Sequence, residues 1–235
     1  MAFDELFAEW KKKYPTHAFI SDGVVDAAHY EEPHVLFVLR DMNCSTEFDL
    51  RWHLREYGSG WKTWNNVGRW TMALLDGTAE YPASMPNAVR RDQVRRIAAI
   101  NLKKEGGGAR ADGSKMLEAV SSQKDMILRE IKLCDPHIII ACGLSTPGID
   151  GNAVLLHDHV FNSQPEWRSF RSPHIDRLWH YYYACINDRM VPVISFCHPQ
   201  VTSMNGLRGH ALFELLYRDM LYIRERIFVE GCNEL

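Results

Sequence analysis

Four short, continuous apolar runs constrain the fold of this chain more than any other feature of its sequence. Each run has the length of a buried strand, and helix-like segments lie between them, the pattern typical of parallel strands joined by helical crossovers. The predicted strands span residues 34–39, 97–102, 137–142 and 191–197. The sequence therefore predicts an α/β fold, a three-layer arrangement in which a short parallel sheet is sandwiched between helices.

Segments with helical spacing of apolar residues surround these runs. The predicted helices span residues 3–13, 46–57, 67–75, 114–133 and 209–229. Gly77 is expected to end the third helix and Asp135 the fourth, with Ser114 as a plausible N-cap of the fourth. The glycine run at 106–108 lacks the spacing of a nucleotide triphosphate loop, so we expect a mobile surface connection there.

Length and composition suit one domain with a sizeable core. The chain has 235 residues, of which 46% are hydrophobic, enough to bury a core of that kind. No run reaches the about 20 apolar residues that a membrane span requires, and the first residues lack the apolar segment of a secretory signal. We expect a single domain over residues 1–235, a cytoplasmic location, no membrane partner and a monomer.

The cysteines do not have metal-site spacing. None of the six forms a C-x-x-C pair, so a zinc ribbon is not predicted, and we expect neither a metal nor a cofactor. Cys44 lies in a loop beside polar groups, but no histidine is fixed next to it in sequence. We interpret it as a bystander rather than a nucleophile.

Basic residues cluster in two stretches of a chain whose net charge is −3. The first stretch contains Arg90, Arg91, Arg95, Arg96, Lys103, Lys104, Arg110 and Lys115, and the second contains Arg168, Arg171 and Arg177. Such patches could bind phosphates on an otherwise acidic body. A solvated helix face is the alternative that charge alone leaves open.

A polar or small signature follows each predicted strand. These signatures are RDMN, NLKK, GLS and HPQ. Because ligands bind beyond the carboxyl ends of strands in open parallel sheets, we expect Asn43, Asn101 and His198 to meet at one rim. The alternative is that the asparagines satisfy turn backbones and that the histidine is structural.

Taken in order, these motifs resemble those of the uracil-DNA glycosylase superfamily, in particular its single-strand-selective and mismatch-specific branches. The first family motif is similar to VLFVLRDMNCS, with Asp41 in place of a glycine and Cys44 in place of a proline. The later motifs are similar to WKTWNNVGRWTMALLDG, IAAINLKKEGGG, ILREIKLCDPHIIIACG and ISFCHPQ. In the last of these, Gln200 replaces the serine of the family's His-Pro-Ser. The resemblance extends from about Pro33 to the closing helix.

The resemblance implies a DNA glycosylase that flips a uracil-like, deaminated or damaged base into a pocket and hydrolyses its N-glycosidic bond. Asn43 would orient the attacking water with Asp41 as a base, and His198 would stabilise charge on the departing base. Asn101 would read the base edge, and Trp61 or Trp64 would stack on the ring. The implied phosphate contacts are Lys103, Lys104, Ser203 and Arg208.

Two other functions stay open at this point. One is a catalytically weakened module of the same fold that binds a nucleobase or nucleic acid, and the other is a protein that binds a small nucleoside. The substitutions at Asp41 and Cys44 favour the first, because they change the backbone that would position the water. A steep loss of affinity with salt would distinguish DNA from a neutral small ligand.

Overall fold

The computed structural model of this chain describes residues 2–107, 112–161 and 165–229. The helices in these ranges are α1 Ala2–Lys13, α2 Leu50–Tyr57, α3 Lys62–Thr71, α4 Asn87–Val94, α5 Gly113–Cys134, α6 Asn152–Leu155 and α7 Gly209–Arg224. Turns of π-helix extend α3, α6 and α7 over Met72–Asp76, Leu156–Val160 and Glu225–Val229. The strands are β1 Ile20–Ser21, β2 Gly23–Val24, β3 Val35–Leu39, β4 Phe48–Asp49, β5 Ala98–Asn101, β6 Ile138–Cys142, β7 Arg168–Arg171, β8 Leu178–Ile186, β9 Arg189–Phe196, β10 Ser203–Met204 and β11 Leu207–Arg208.

The central sheet contains seven strands in the described part of the chain, in the order β2-β5-β3-β6-β9-β8-β7. The four in the middle are β5, β3, β6 and β9, and each pairs in parallel with its neighbours in that set. Antiparallel partners extend the sheet at its edges, β2 on one side and β8 with β7 on the other. The prediction of a short parallel sheet flanked by helices is therefore confirmed.

Alternate residues of the strands face two separate apolar cores. In β3, Phe37 packs with residues of α2, α3 and α7, whereas Leu36 and Val38 pack with residues of α1, α5 and α6. All five residues of the strand are buried, which is why the sequence shows a continuous apolar run instead of alternation. Helices on both faces of the sheet complete the three layers. None of the helices in the described ranges combines the length and the apolar content of a membrane span.

Aspartate caps set the beginnings of two helices. The Asp49 carboxylate accepts from the backbone nitrogen of Trp52 at 3.0 Å, so α2 begins at Leu50 and not at 46 as predicted. The Asp112 carboxylate accepts from the backbone nitrogen of Ser114 at 3.1 Å. Ser114 therefore lies in the first turn of α5, and the prediction that it is the cap is wrong, because an aspartate two residues earlier holds the free N–H groups.

Two predicted helix ends are confirmed. Gly77, with φ 63°, follows the π-helical turn after α3, and Asp135, with φ 45°, closes α5. Both residues adopt the left-handed conformation that ends many helices. The third predicted helix begins earlier than expected, at Lys62, because Trp64, three residues before Val67, extends the buried face of the helix toward its N-terminus.

Nine elements of the described ranges were not predicted: α4, α6, β1, β2, β4, β7, β8, β10 and β11. The strand β8 pairs with β9 through a tight turn at Asn187 and Asp188, which both have positive φ, 48° and 60°. That turn joins them as a hairpin of the type in which asparagine and aspartate are favoured. As a result β9 begins at Arg189 and the sheet extends beyond the four strands expected from the sequence.

Half of the first basic cluster is engaged in internal contacts. Arg90 is buried and donates to the carbonyl of Gly58 at 2.9 Å. The ion pairs of this stretch include Arg95–Asp26, Arg96–Asp76, Lys104–Asp22 and Lys104–Glu130, besides a surface pair between Arg91 and Asp92. Arg110 lies outside the described residues. The cluster as a whole is therefore neither a free phosphate-binding surface nor a solvated helix face.

Candidate functional site

Two adjoining cavities lie beyond the carboxyl ends of the parallel strands. The outer cavity, of about 490 Å³, is lined among others by Arg40, Asp41, Asn43, Trp61, His198 and Gln200. The inner cavity, of about 70 Å³, shares Asp41, Trp61 and His198 with it and adds Leu39, Trp64 and Asn101. The shared residues form a common wall between the two spaces.

Strand direction explains why these remote residues meet. Asp41 and Asn43 follow β3, Asn101 ends β5, and His198 comes two residues after β9. Because β5, β3 and β9 point the same way, their carboxyl ends open on one edge of the sheet. The predicted rim therefore exists, with Asn101 at the inner cavity and Asn43 at the outer one.

The imidazole of His198 is held in a defined tautomer. Its Nδ1 accepts a hydrogen bond from the backbone nitrogen of Gln200 at 3.1 Å, so in the neutral ring the proton is on Nε2. Although part of the residue reaches solvent, burial of the ring between the cavity walls lowers its pKa, and the positive charge of Arg40 lowers it further. The site thus favours a neutral imidazole whose Nε2–H can donate.

Helix α3 fixes the loop that carries this histidine. The Asn66 amide donates to the carbonyl of Pro199 at 2.6 Å, and Asn66 itself accepts from Arg69 at 3.1 Å. The Gln200 amide donates to the hydroxyl of Thr63 at 2.7 Å. These bonds tie the chain after β9 to the start of α3, so both walls of the outer cavity belong to one connected network.

Asn101 is buried, and its amide has a fixed orientation. Its backbone nitrogen and its Nδ2 both donate to Oδ2 of Asp22, at 2.7 Å and 3.0 Å. One hydrogen of the amide is thereby used, which leaves a second N–H and the carbonyl oxygen. Those groups are the ones that Asn101 can present to a ligand in the inner cavity.

Lys104 lies between two buried carboxyl groups. It forms an ion pair with Asp22 and lies 2.7 Å from Glu130, and all three side chains are buried. Its ammonium lies over the indole ring of Trp10, 5.3 Å from the ring centroid. The prediction that Lys104 contacts phosphate is therefore wrong, because its charge is already neutralised inside the protein.

Asp41 is a half-buried carboxyl group between the two cavities. Burial raises its pKa, while the neighbouring charges of Lys103 and Arg40 lower it, and the net direction is upward. A carboxyl group tuned in this direction is a better proton acceptor once ionised than an ordinary aspartate. A titratable group therefore lies where the two cavities meet.

The glycine run packs against the same loop. The backbone nitrogen of Gly107 donates to the carbonyl of Met42 at 2.7 Å, and that of Gly106 donates to Ala18 at 3.0 Å. A side chain at Gly107 would collide with the carboxylate of Asp41. These glycines therefore allow close approach to the loop after β3, to the backbone of Cys44 at Gly106 and to the side chain of Asp41 at Gly107. The mobility expected from the sequence stays a prediction. Gly108 lies outside the described residues.

Of the two candidate tryptophans, only Trp61 presents an accessible ring. It is 44% exposed, contributes to both cavities and stacks on His53 with centroids 5.0 Å apart. Trp64 is 2% exposed and packs in the core beneath the sheet edge. Trp64 thus closes the inner cavity, and Trp61 is the ring that a ligand could contact.

The remaining candidate phosphate contacts are Ser203, Arg208 and Lys103, and they lie in different parts of the structure around the site. Ser203 lines a third cavity, of about 630 Å³, that adjoins the outer one through Arg40, His198 and Gln200. Arg208 pairs with Ser203 across the β10–β11 hairpin and is exposed. Lys103 is half-buried beside Asp41, and its backbone nitrogen donates to the carbonyl of Arg40 at 2.9 Å.

Several residues of this site were not anticipated from the sequence. Arg40 stands directly after β3, in the signature RDMN, and the strand-end rule could have included it along with Asn43. Asp22 lies between two strands of two residues each. Strands this short give no periodic pattern from which a buried Asp22 could be predicted. Thr63 and Asn66 lie on α3 at a three-residue spacing that places them on one face, a signal visible only once the helix start is known.

The fold and this site define an α/β protein with a polar pocket at the carboxyl edge of a parallel sheet. In the residues that the structure describes, no group of three or more His, Cys, Asp or Glu side chains could hold a metal ion. Comparison with family models, with curated proteins and with solved structures finds no match to this chain.

Proposed function

We propose that this chain is a DNA glycosylase that hydrolyses the N-glycosidic bond of a uracil-like, deaminated or damaged base. One observation carries the proposal: Asp41, Asn43, Trp61, Asn101 and His198 line two adjoining cavities at a single sheet edge. An enzyme that acts on a base must take it out of the stack and enclose it. The outer cavity is the side from which such a base would arrive.

The base must displace part of the shared wall to reach Asn101. The inner cavity, at about 70 Å³, has room for about two waters, given about 30 Å³ for each in the liquid, which is less than a base ring needs. Trp61 is the exposed part of that wall, and its neighbours include the rings of His53 and Phe48. Rotation of its indole would open the wall between the two cavities and give the base an aromatic face on which to stack.

His198 acts on the leaving base. As the glycosidic bond breaks, its electron pair stays with the base and negative charge builds on a ring oxygen. The Nε2–H of the neutral imidazole donates to that oxygen, and the Gln200 backbone holds Nδ1 as the acceptor. A preorganised donor of this kind stabilises a transition state by about 3 kcal/mol.

Asp41 and Asn43 act on the water that attacks the sugar. The oxygen of this water forms the new bond to C1′ while the bond from C1′ to the base breaks. A proton of the water passes to the ionised carboxylate of Asp41. The exposed amide of Asn43, at the outer cavity, both donates and accepts and can orient this water. Asn101 pairs with the base edge through the groups that Asp22 leaves free.

A second candidate function is a binding module that retains the pocket without the attack chemistry. The small inner cavity favours it, because a pocket closed by Trp64 and Trp61 could bind a base edge without room for a water behind it. This candidate predicts affinity for an oligonucleotide with an abasic site, or for a free base, with no turnover.

Oligonucleotides that contain uracil, hypoxanthine or xanthine, single- and double-stranded, test the proposal. The enzyme should leave an abasic site that alkali cleaves. His198→Ala should lower the rate by about 10²- to 10³-fold and Asn43→Ala should also lower it, with binding of an abasic oligonucleotide retained in both. His180→Ala, which removes an exposed imidazole from β8, is the matched control and should remain active. Binding without cleavage of any substrate would support the binding module and exclude the enzyme.

A further inference from the structure

The third cavity contains two guanidinium groups and is lined by no carboxylate from the described residues. Arg40 and Arg177 both line it, together with the hydroxyl-bearing Thr146 and Ser203. Its volume is about 630 Å³, far more than a packing defect. A concave space with cations and hydroxyl donors, and without acidic side chains in its described wall, is a site for an anion.

Each guanidinium keeps a buried donor without an acceptor. In the described part of the chain, Nη1 of Arg40 and Nε of Arg177 are buried and have no hydrogen-bond partner. A buried donor left in this state costs about 1–3 kcal/mol. Both guanidinium groups line the cavity, and a small rotation of either side chain would bring its unpaired donor to an oxyanion seated there. The lining by two guanidinium groups, more than the unpaired donors alone, points to a ligand.

Neighbouring groups hold both side chains at the cavity. Nη2 of Arg40 donates to the backbone carbonyl of Asp150, and the guanidinium of Arg177 lies over the ring of Trp179, 5.1 Å from its centroid. The carboxylates that raise the pKa of Arg40, against the larger effect of burial, are those of Asp41 and Asp150, and neither lines this cavity. Arg40 therefore lies between carboxylates on one side and, on the other, a cavity whose described lining contains none.

We propose that Arg40 and Arg177 form a phosphate-binding site next to the base pocket. The third and outer cavities share Arg40, His198 and Gln200, so a phosphate in the former lies beside a nucleoside in the latter. The phosphate is that of a nucleic-acid backbone next to the flipped nucleotide, or the phosphate of a mononucleotide. The choice of the backbone rests on the proposed function, whereas the anion site does not.

Anisotropy of a labelled oligonucleotide with an abasic analogue, titrated with the full-length chain over a range of salt concentrations, tests the backbone source. Arg177→Gln should weaken binding about fivefold at about 0.1 M salt and reduce the salt slope by about 0.7, the effect of one lost single-strand phosphate contact. Arg129→Gln removes an equal charge that pairs with Glu9 on the surface and should change neither quantity. Arg177→Lys keeps the charge and should keep the slope, which separates phosphate binding from misfolding.

Inorganic phosphate and deoxyuridine monophosphate, added in a thermal unfolding experiment, test the free-phosphate source. Either ligand should raise the melting temperature of the wild type more than that of Arg177→Gln, since binding to the folded state stabilises it. A rise in melting temperature with either phosphate, without any oligonucleotide binding, would support the phosphate site and reject DNA as the partner. Equal oligonucleotide affinity and slope for wild type and Arg177→Gln, with no response to either phosphate, would overturn the proposal. Absence of base release bears on the glycosylase proposal alone.

Discussion

The carboxylate of Asp22 holds Asn101 by two hydrogen bonds, one to its backbone nitrogen at 2.7 Å and one to its side-chain amide at 3.0 Å. The same carboxylate pairs with the buried Lys104. The residue that we propose to read the base is thus oriented by a charged cluster that never meets the ligand. Removal of that cluster should act on stability and on the orientation of Asn101 together.

The first prediction concerns this buried cluster. Burial raises the pKa of Glu130 well above its ordinary value, and Asp22 raises it further against the opposing effect of Lys104, which shifts Glu130 toward its neutral form. If Glu130 is neutral at the pH of the experiment, Glu130→Gln replaces one neutral group by another and should cost less than about 1 kcal/mol of unfolding free energy. Lys104→Met leaves Asp22 without its cation and should cost about 3–5 kcal/mol. Urea unfolding at neutral pH measures both, and equal losses would contradict this assignment of charge.

The second prediction concerns pH. The proposed reaction needs Asp41 ionised and His198 neutral, and both of these forms exist above the respective pKa. The positive charge of Arg40 lowers both pKa values, so Arg40→Met should raise them and move the acidic limb of the kcat/KM profile to higher pH. Arg40→Lys retains the charge and should leave the limb in place. A limb that moves to lower pH, or stays fixed in Arg40→Met, would show that these groups do not control the rate.

The third prediction concerns the glycine run. A Cβ at Gly107 would collide with the carboxylate of Asp41, so Gly107→Ala should displace that side chain and lower kcat. The fold should persist, because a flexible side chain can move aside. Gly60→Ala is the control: its Cβ would meet nothing within 4 Å. Loss of activity in both variants, or in neither, would argue against a specific contact with Asp41.

The fourth prediction separates two exposed tryptophans. Trp61 is 44% exposed at the cavities and Trp52 is 48% exposed on α2. Stacking of a base on an aromatic ring contributes about 1–3 kcal/mol, so Trp61→Ala should weaken binding of an abasic oligonucleotide in the presence of the free base by that amount. Trp52→Ala should leave it unchanged. Equal effects would mean that the two rings contribute only to general surface contact.

The buried layer of the fold could be predicted from the sequence because its physical signal is local. Strands such as β3 and β6 are buried on both faces and appear as unbroken apolar runs. The hairpin strand β8 was missed although it is rich in aromatic residues and its exposed and buried positions partly alternate, a pattern typical of a strand. Its signal was the Asn187–Asp188 turn, a dipeptide that favours positive φ at both positions.

The site could be predicted only as far as strand ends determine it. Asn101 and His198 were located because parallel strands open on one edge. The partners that orient them could not be inferred, since Asp22 is 79 positions from Asn101 in sequence and nothing local links the two. Lys104 was misassigned for the same reason: a lysine after a strand appears exposed until the carboxyl group of α5 that buries it, Glu130, is known.

The most direct test of the central claim is a crystal structure of the chain with an oligonucleotide that carries 2′-fluorinated deoxyuridine. The fluorine disfavours positive charge at C1′ and so slows cleavage. The account predicts the uracil ring stacked on Trp61, its edge paired with Asn101, and a base oxygen within hydrogen-bond distance of Nε2 of His198. A saturated complex in which the base stays in the helical stack, or lies away from Asn101 and His198, would contradict it.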